Sequence, residues 1–201
     1  MLKIGITGEA GSGKSEVAIF LHHAGYEVIN ADEEGHKILT ESEETKKDLL
    51  KVFGNSITDR EGNIIRSELA KLAFSSNANL ELIDRIVGEK LKKRLESIIW
   101  SSSNTKDIVL DAALLWDWEF SKKLDYIIYV TADVNLRKKR LLEKGWQLEK
   151  VDSVLKLCKG CPEEKDRIDY KIENNSGINE LEKDCYKLLL FLNLERLKCK
   201  H

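Results

Sequence analysis

Apolar positions recur along the chain with two periods, and their alternation sets out the elements. Leu2, Ile4 and Ile6 form a short β-branched run that ends at Thr7, after which Val17, Phe20, Leu21 and Ala24 recur at helical spacing. Residues 27–30, after the turn residue Gly25, predict a second strand that ends at Ala31 and Asp32. A strand, helix, strand unit implies a parallel pair joined by a right-handed crossover. Further strands are expected over residues 108–115, over residues 125–130 and around Ile168, Tyr170 and Ile172, the last closing at Asn174 and Asn175. From about residue 33 to residue 101 the pattern is instead helical and charged, broken near Gly54 and Asn55 and at the turn from Asp59 to Asn63. Leu80, Ile83, Val87, Leu91, Leu95 and Ile98 predict one long helix there, with Ser76 or Asn77 as its N-cap. A final helix carries Leu181, Cys185, Leu188, Leu189 and Leu192 on one face, fit to pack on a sheet. Helices interleaved with apolar strands predict a doubly wound α/β sheet of five strands.

The residues joining the first strand to the first helix bring in chemistry. Gly8, Glu9, Ala10, Gly11, Ser12, Gly13, Lys14 and Ser15 satisfy the phosphate-loop pattern GxxxxGK[ST] in the strand-to-helix context it requires. Glycines let such a loop turn its backbone N–H groups inward, and the helix presents its positive end to the same charge. The predicted nucleotide-binding residues are Gly8, Gly11, Ser12, Gly13, Lys14, Ser15 and Glu16. Lys14 is expected to reach the β- and γ-phosphates of ATP, and the Ser15 hydroxyl to hold a magnesium ion.

In open α/β sheets the ligand lies beyond the carboxyl ends of the strands, where Asp32, Asp111, Asp117, Asn174 and Asn175 are expected to fall. Phosphoryl transfer to a hydroxyl needs a carboxylate within reach of the attacking oxygen, and Asp32 is the candidate. Its alternative role is an N-cap for a helix starting near Glu33. Asp111 reads either as a metal-orienting carboxylate at a strand end or as a residue inside the strand. Arg137, Lys138, Lys139, Arg140 and Lys144 form a basic helical stretch, predicted to begin a lid over residues 137–166 with Arg140 as a phosphoryl clamp. Its alternative is a solvated face. Trp116 and Trp118 read as a pocket lining or as hydrophobic anchors.

Composition narrows the partners. The 201 residues are read as a single domain, 1–201, with residues 33–101 as a mainly helical region. Charged residues, at 34%, nearly cancel to a net charge of -2, so no general nucleic-acid or membrane footprint is present and phosphate affinity must be local. The chain opens on a strand where a secretory signal would need an apolar core, and a cytoplasmic monomer is expected. Cys158, Cys161, Cys185 and Cys199 contain one CxxC and no second pair, which favours reduced, incidental thiols over a zinc site.

Taken together these residues resemble the dephospho-CoA kinase family. Residues 6–15 are similar to its opening phosphate loop, and Val28, Ile29, Asn30, Ala31 and Asp32 to its strand ending in Asp-Ala-Asp. Gly62, Arg66, Leu69 and Phe74 resemble its Gly, Arg, Leu, Phe pattern, and residues 110–117 its third strand with the following Pro-Leu-Leu-Phe-Glu. Arg140 matches a lid arginine, and Lys165, Asp169, Ile172, Asn174 and Asn175 match its closing positions. The departures are Asn30 for the first Asp, Gly88 and Glu89 for a His-Pro pair, Ala113 for Pro, Asp117 for Glu, Lys144 for a second lid Arg and Lys159 for Gln. The His-Pro change bears on the acceptor side more than on the ATP side. The resemblance implies a three-layer P-loop kinase fold with a helical substrate-binding region and a helical lid. It also implies phosphorylation of the ribose 3'-hydroxyl of dephospho-CoA by ATP and magnesium, with Asp32 as the base. Three rivals remain at this level: another P-loop nucleotide or nucleoside kinase, a nonenzymatic ATP-binding protein, and a GTPase-like switch. The last rests on Asp32 to Gly35, which fit DxxG, and on Thr45 to Asp48, which fit a loosened NKxD.

Overall fold

The computed structural model describes residues 1–101, 103–113, 115–116, 119–157 and 167–198. Asp117, Trp118, Cys158, Lys159, Cys161, Lys165 and Cys199 therefore lie outside the described residues, as does the far end of the predicted lid. The elements run β1 (Lys3–Gly8), α1 (Lys14–His23), β2 (Glu27–Asn30), α2 (Ala31–Glu41), α3 (Glu43–Phe53) and a 3₁₀ turn (Gly54–Ile57). They continue with α4 (Arg66–Ser75), α5 (Asn77–Ile83), a π-helical turn (Asp84–Gly88), α6 (Glu89–Ile99) and β3 (Ile108–Asp111). After a short 3₁₀ turn come β4 (Tyr126–Thr131), α7 (Val134–Glu143), α8 (Leu148–Leu157), β5 (Tyr170–Glu173) and α9 (Ile178–Lys198). The five strands form one sheet in the order β2-β3-β1-β4-β5.

Pairing of β1 with β3 and β4, and of β4 with β5, is parallel, with Ile6 opposite both Asp111 and Ile128. A parallel strand is covered on both faces, so it reads as an unbroken apolar run, which is why the first strand is visible as Ile4, Gly5 and Ile6. On one face, Val17, Ala18 and Leu21 of α1 and Leu181, Cys185, Leu188 and Leu192 of α9 close over Ile4, Ile6, Val109, Ile128, Val130 and Ile172. This is the α/β arrangement the alternating pattern predicts.

The chain divides into two compact units, residues 1–29 with 103–201, and residues 30–102. The second unit has a core of its own, Leu49, Ile57 and Leu69 with Leu39, Phe53, Ile64, Ile83 and Val87 packed against them. Within it, Arg94 on α6 donates to Glu34 (2.5 Å) and to Glu41 (3.2 Å) on α2. Burial alone would raise the Glu34 carboxyl, yet the hydrogen bonds from Lys37 and Arg94 outweigh it and hold the group below its ordinary value. The stretch around Gly62 is a turn closed by Asp59, whose carboxylate accepts from the amides of Glu61 (2.9 Å) and Asn63 (2.8 Å).

Two expectations change. The third strand stops at Asp111, because the chain turns beyond Ala112 and buries Leu115 from that turn. The long helix starts as expected, with the Ser76 hydroxyl accepting from the Asn79 amide (3.1 Å), but the π-helical turn interrupts it. Beyond that turn Leu91, Leu95 and Ile99 are the buried positions, with Ile98 not among them, and Leu80 ahead of it is 48% exposed. The GTPase elements do not form loops: residues 32–35 lie inside α2 and residues 45–48 inside α3, with Thr45 fully buried.

Candidate active site

The phosphate loop leaves β1 at Gly8 and enters α1 at Lys14. Gly13, the residue before the helix, has φ 98° and supplies no side-chain cap. Among the described residues the amides of Gly13, Lys14 and Ser15 donate to no protein acceptor, whereas those of Glu16 and Val17 bond the Gly13 carbonyl (3.0 and 3.3 Å). Those three amides sit at the positive end of the helix dipole, the arrangement that binds a phosphate. Ser15 and Glu16 are exposed in the first turn, and Ser12 is fully buried with its hydroxyl unpartnered.

Two walls hold the loop in this shape. The Asn174 side-chain amide donates to the Ser12 carbonyl (2.8 Å) from the end of β5. Arg140 in the last turn of α7 donates to the carbonyls of Gly11 (3.4 Å), Ser12 (3.4 Å) and Asn174 (2.9 Å). These contacts explain two of the glycines. Gly11 adopts φ 79°, and a Cβ there would lie 2.8 Å from the Arg137 carbonyl oxygen; a Cβ on Gly13 would lie 2.3 Å from Asn174 Nδ2. Any other residue would force a wall away.

Lys14 forms an ion pair with Asp111, whose side chain is 2% exposed. Asp111 is the last residue of β3 and stands beside Ile6 of β1, so the lysine reaches across a strand end from the helix that follows the loop. The sequence left open whether this aspartate lay inside its strand or at its end. The turn after Ala112 puts it at the end.

A second buried pair could not have been read from the sequence. Glu9, inside the loop, meets Arg137 of α7 (3.3 Å) and accepts from the Thr131 hydroxyl at the end of β4 (2.7 Å). Arg137 also donates from Nε to the Ala132 carbonyl (3.1 Å), and its Nη1 is buried without a hydrogen-bond partner. As single letters, an acid in a glycine loop and an arginine in a basic helix both look like surface charges. Thus the basic stretch is partly wall and partly solvated: Arg137 is buried and Arg140 half-buried, while Lys139 is exposed.

Asp32 belongs to the other unit, as the second residue of α2. The cap of that helix is Asn30, whose side chain accepts from the amides of Asp32 (2.9 Å) and Glu33 (3.2 Å). The capping role considered for Asp32 therefore falls to Asn30, and the exposed Asp32 carboxylate has no protein partner among the described residues. Trp116 is half-buried, with its ring 6.0 Å from that of Tyr129. No group of three or more His, Cys, Asp or Glu side chains that could hold a metal occurs among the described residues.

Comparison with known proteins agrees with this geometry. The model of the CoaE dephospho-CoA kinase family matches residues 2–180. A dephospho-CoA kinase of Aquifex aeolicus is 31% identical over 94% of this chain and 96% of its own length, and one of Borreliella burgdorferi is 32% identical over 98% of each. Among solved structures, one from Thermus thermophilus superposes with a TM-score of 0.76 at 26% identity, covering 95% of this chain and 97% of that one. A dephospho-CoA kinase from Campylobacter jejuni shares the fold with a TM-score of 0.63 at 21% identity, covering 94% and 95%. With a family model spanning residues 2–180 and relatives above 30% identity aligned almost end to end, the chain belongs to the dephospho-CoA kinase family.

Proposed function

We propose that this chain transfers the γ-phosphoryl group of ATP to the ribose 3'-hydroxyl of dephospho-CoA, giving coenzyme A. The observation that carries the reading is the loop itself: three amides without protein acceptors at a helix N-terminus, beside a lysine paired with a carboxylate at the end of a neighbouring strand. Free amides and an ammonium so placed stabilise negative charge on a transferring phosphoryl group without reorganising during the reaction. In the proposed mechanism Lys14 leaves Asp111 for the β- and γ-phosphate oxygens, and the backbone of Gly11 to Ser15 fixes the phosphate chain in line with the acceptor. Asp32 accepts the proton of the 3'-hydroxyl as it attacks. Arg140 keeps the loop closed from α7 and places positive charge beside it, its part in clamping the phosphoryl group.

Magnesium fits the donor set. The exposed Ser15 hydroxyl and the buried Asp111 carboxylate are oxygen ligands of the kind that ion takes alongside phosphate oxygens and water. When bound, the ion offsets charge on the β- and γ-phosphates. The helical unit, residues 30–102, is proposed to receive the acceptor, and α7, α8 and the residues after them to serve as the lid. The enzyme is proposed to act in the cytoplasm, where ATP is available. No helix among the described residues is long and apolar enough to cross a membrane.

Incubation of the purified chain with MgATP and dephospho-CoA, followed by mass analysis, is expected to show a product heavier by one phosphoryl group and identical to coenzyme A. Transfer to nucleoside monophosphates or shikimate-like alcohols with none to dephospho-CoA would assign the fold to a different acceptor.

A further inference from the structure

The phosphate loop carries two kinds of donor, and only one of them is open in the resting protein. The amides of Gly13, Lys14 and Ser15 have no protein acceptor among the described residues. The Lys14 ammonium, by contrast, is held by Asp111. The Asp111 side chain is 2% exposed and that of Lys14 17% exposed, and among the described residues the ammonium is the one partner this carboxylate has. The Thr7 hydroxyl, near the end of β1, is given to the Ala113 carbonyl instead (3.3 Å). A buried carboxylate stripped of its counter-charge is costly, far more so than an exposed one. Lys14 is therefore not released to a phosphate unless another cation takes over Asp111.

We propose, on the reading of this loop as the ATP site, that Asp111 makes it selective for the metal complex of ATP over free ATP, by holding Lys14 until a divalent cation replaces it. Free ATP brings only negative charge to the loop. To engage Lys14 it must leave Asp111 bare beside its own phosphates, and if the pair stays intact it is held by the amides alone. ATP that arrives with a divalent ion avoids both losses, because the Asp111 carboxylate and the exposed Ser15 hydroxyl are oxygen donors fit for that ion. Lys14 thus counts toward affinity only when the metal is present. By linkage, metal and nucleotide then raise each other's affinity by the same factor. An unpaired lysine would grip either form of ATP, and excess free ATP would block the site.

Isothermal titration of ATP in excess Mg2+ and in EDTA, with no acceptor present, tests this on the parent chain, Asp111→Asn, Lys14→Met and the double variant. Mg2+ is expected to tighten ATP binding about 50-fold in the parent and about 5-fold in Asp111→Asn, chiefly because metal-free ATP binds the variant more tightly. Simple repulsion between Asp111 and the phosphates would also give that gain, so the decisive measure is what Lys14 contributes in each background. In the parent, Lys14→Met is expected to weaken MgATP about 30-fold and metal-free ATP less than about 3-fold; in Asp111→Asn it is expected to weaken metal-free ATP about 10-fold. Equal losses of metal-free ATP in the two backgrounds overturn the proposal, as does an Asp111→Asn chain whose affinity for metal-free ATP is unchanged. Either result, with MgATP still bound by the parent, leaves the ATP site standing and removes only the selectivity. A parent chain that binds no MgATP overturns the ATP site itself and the selectivity with it. Asp111→Ala, which offers Lys14 no acceptor, carries the same cycle should Asp111→Asn lose its circular dichroism melt.

Discussion

Removing one member of the buried pair between Glu9 and Arg137 should destabilise the protein far more than removing a surface charge. Their side chains are 10% and 7% exposed and stand 3.3 Å apart. At an effective dielectric of about 20 the attraction is about 5 kcal/mol before desolvation is subtracted. Arg137→Met keeps most of the side-chain volume but leaves the Glu9 carboxylate buried with only the Thr131 hydroxyl to answer it. Loss of one partner from a buried pair costs about 3–5 kcal/mol, which for a chain of this size lowers the melting temperature by about 10 °C. Glu9→Gln, which can still accept from Arg137, should cost about 2 kcal/mol. The double variant should be less destabilised than the sum by about 2 kcal/mol or more, against about 0.2–1 kcal/mol for an exposed pair. Urea unfolding of the four chains, followed by circular dichroism, measures that coupling. Because Gly11 packs on the Arg137 backbone, both single variants should also raise the KM for ATP while lowering kcat less. A coupling under about 0.5 kcal/mol would refute the reasoning, for it would mean that water already screens the pair.

Four other outcomes are expected. Asp32→Asn should lower kcat by about 10²–10⁴-fold with ATP affinity nearly unchanged by calorimetry, whereas Lys14→Ala should impair both. Gly13→Ala must accommodate φ 98° and displace the Asn174 amide, so it should weaken ATP binding at least 10-fold, and adding Asn174→Ala should restore only part because the backbone strain remains. Burial, aided by Asp184 and Glu182, pushes the Cys185 thiol up to about 11. At pH 8 only about one molecule in a thousand carries the thiolate, so mass mapping after iodoacetamide should find Cys185 alkylated only in urea. Raising the pH above 9 should also cost stability, because the unfolded thiol ionises first. Glu34 shows the opposite sign. Its carboxyl lies below the usual 4.5, so its stabilising effect is present above that value and is lost as the pH falls through the folded one. Acid titration of Glu34→Gln should therefore show a shallower loss of stability than the parent.

Much of the architecture could be read in advance because strand and helix periods are local properties. The apolar runs at Ile4, Val109 and Ile128 mark strands buried on both faces, and GxxxxGK[ST] marks a turn that few other sequences can make. The family resemblance rested on the order of such local pieces. Local period failed where a neighbour decides: no spacing rule foretells that Asp84 to Gly88 form a π turn, or that Ile99 is buried and Ile98 is not.

The site divides along the same line. Lys14, Ser15 and the loop glycines were legible because a phosphate cradle is made from consecutive residues. The roles of Glu9, Arg137, Asn174 and Asp111 were not, since each depends on a partner far along the chain that only the closed sheet brings within hydrogen-bond reach. The amino-acid sequence alone thus determined where a phosphate can be held. Tertiary structure decided what holds the holder: a charge becomes a buried anchor or a solvated ornament only when packing sets its dielectric surroundings and its partner.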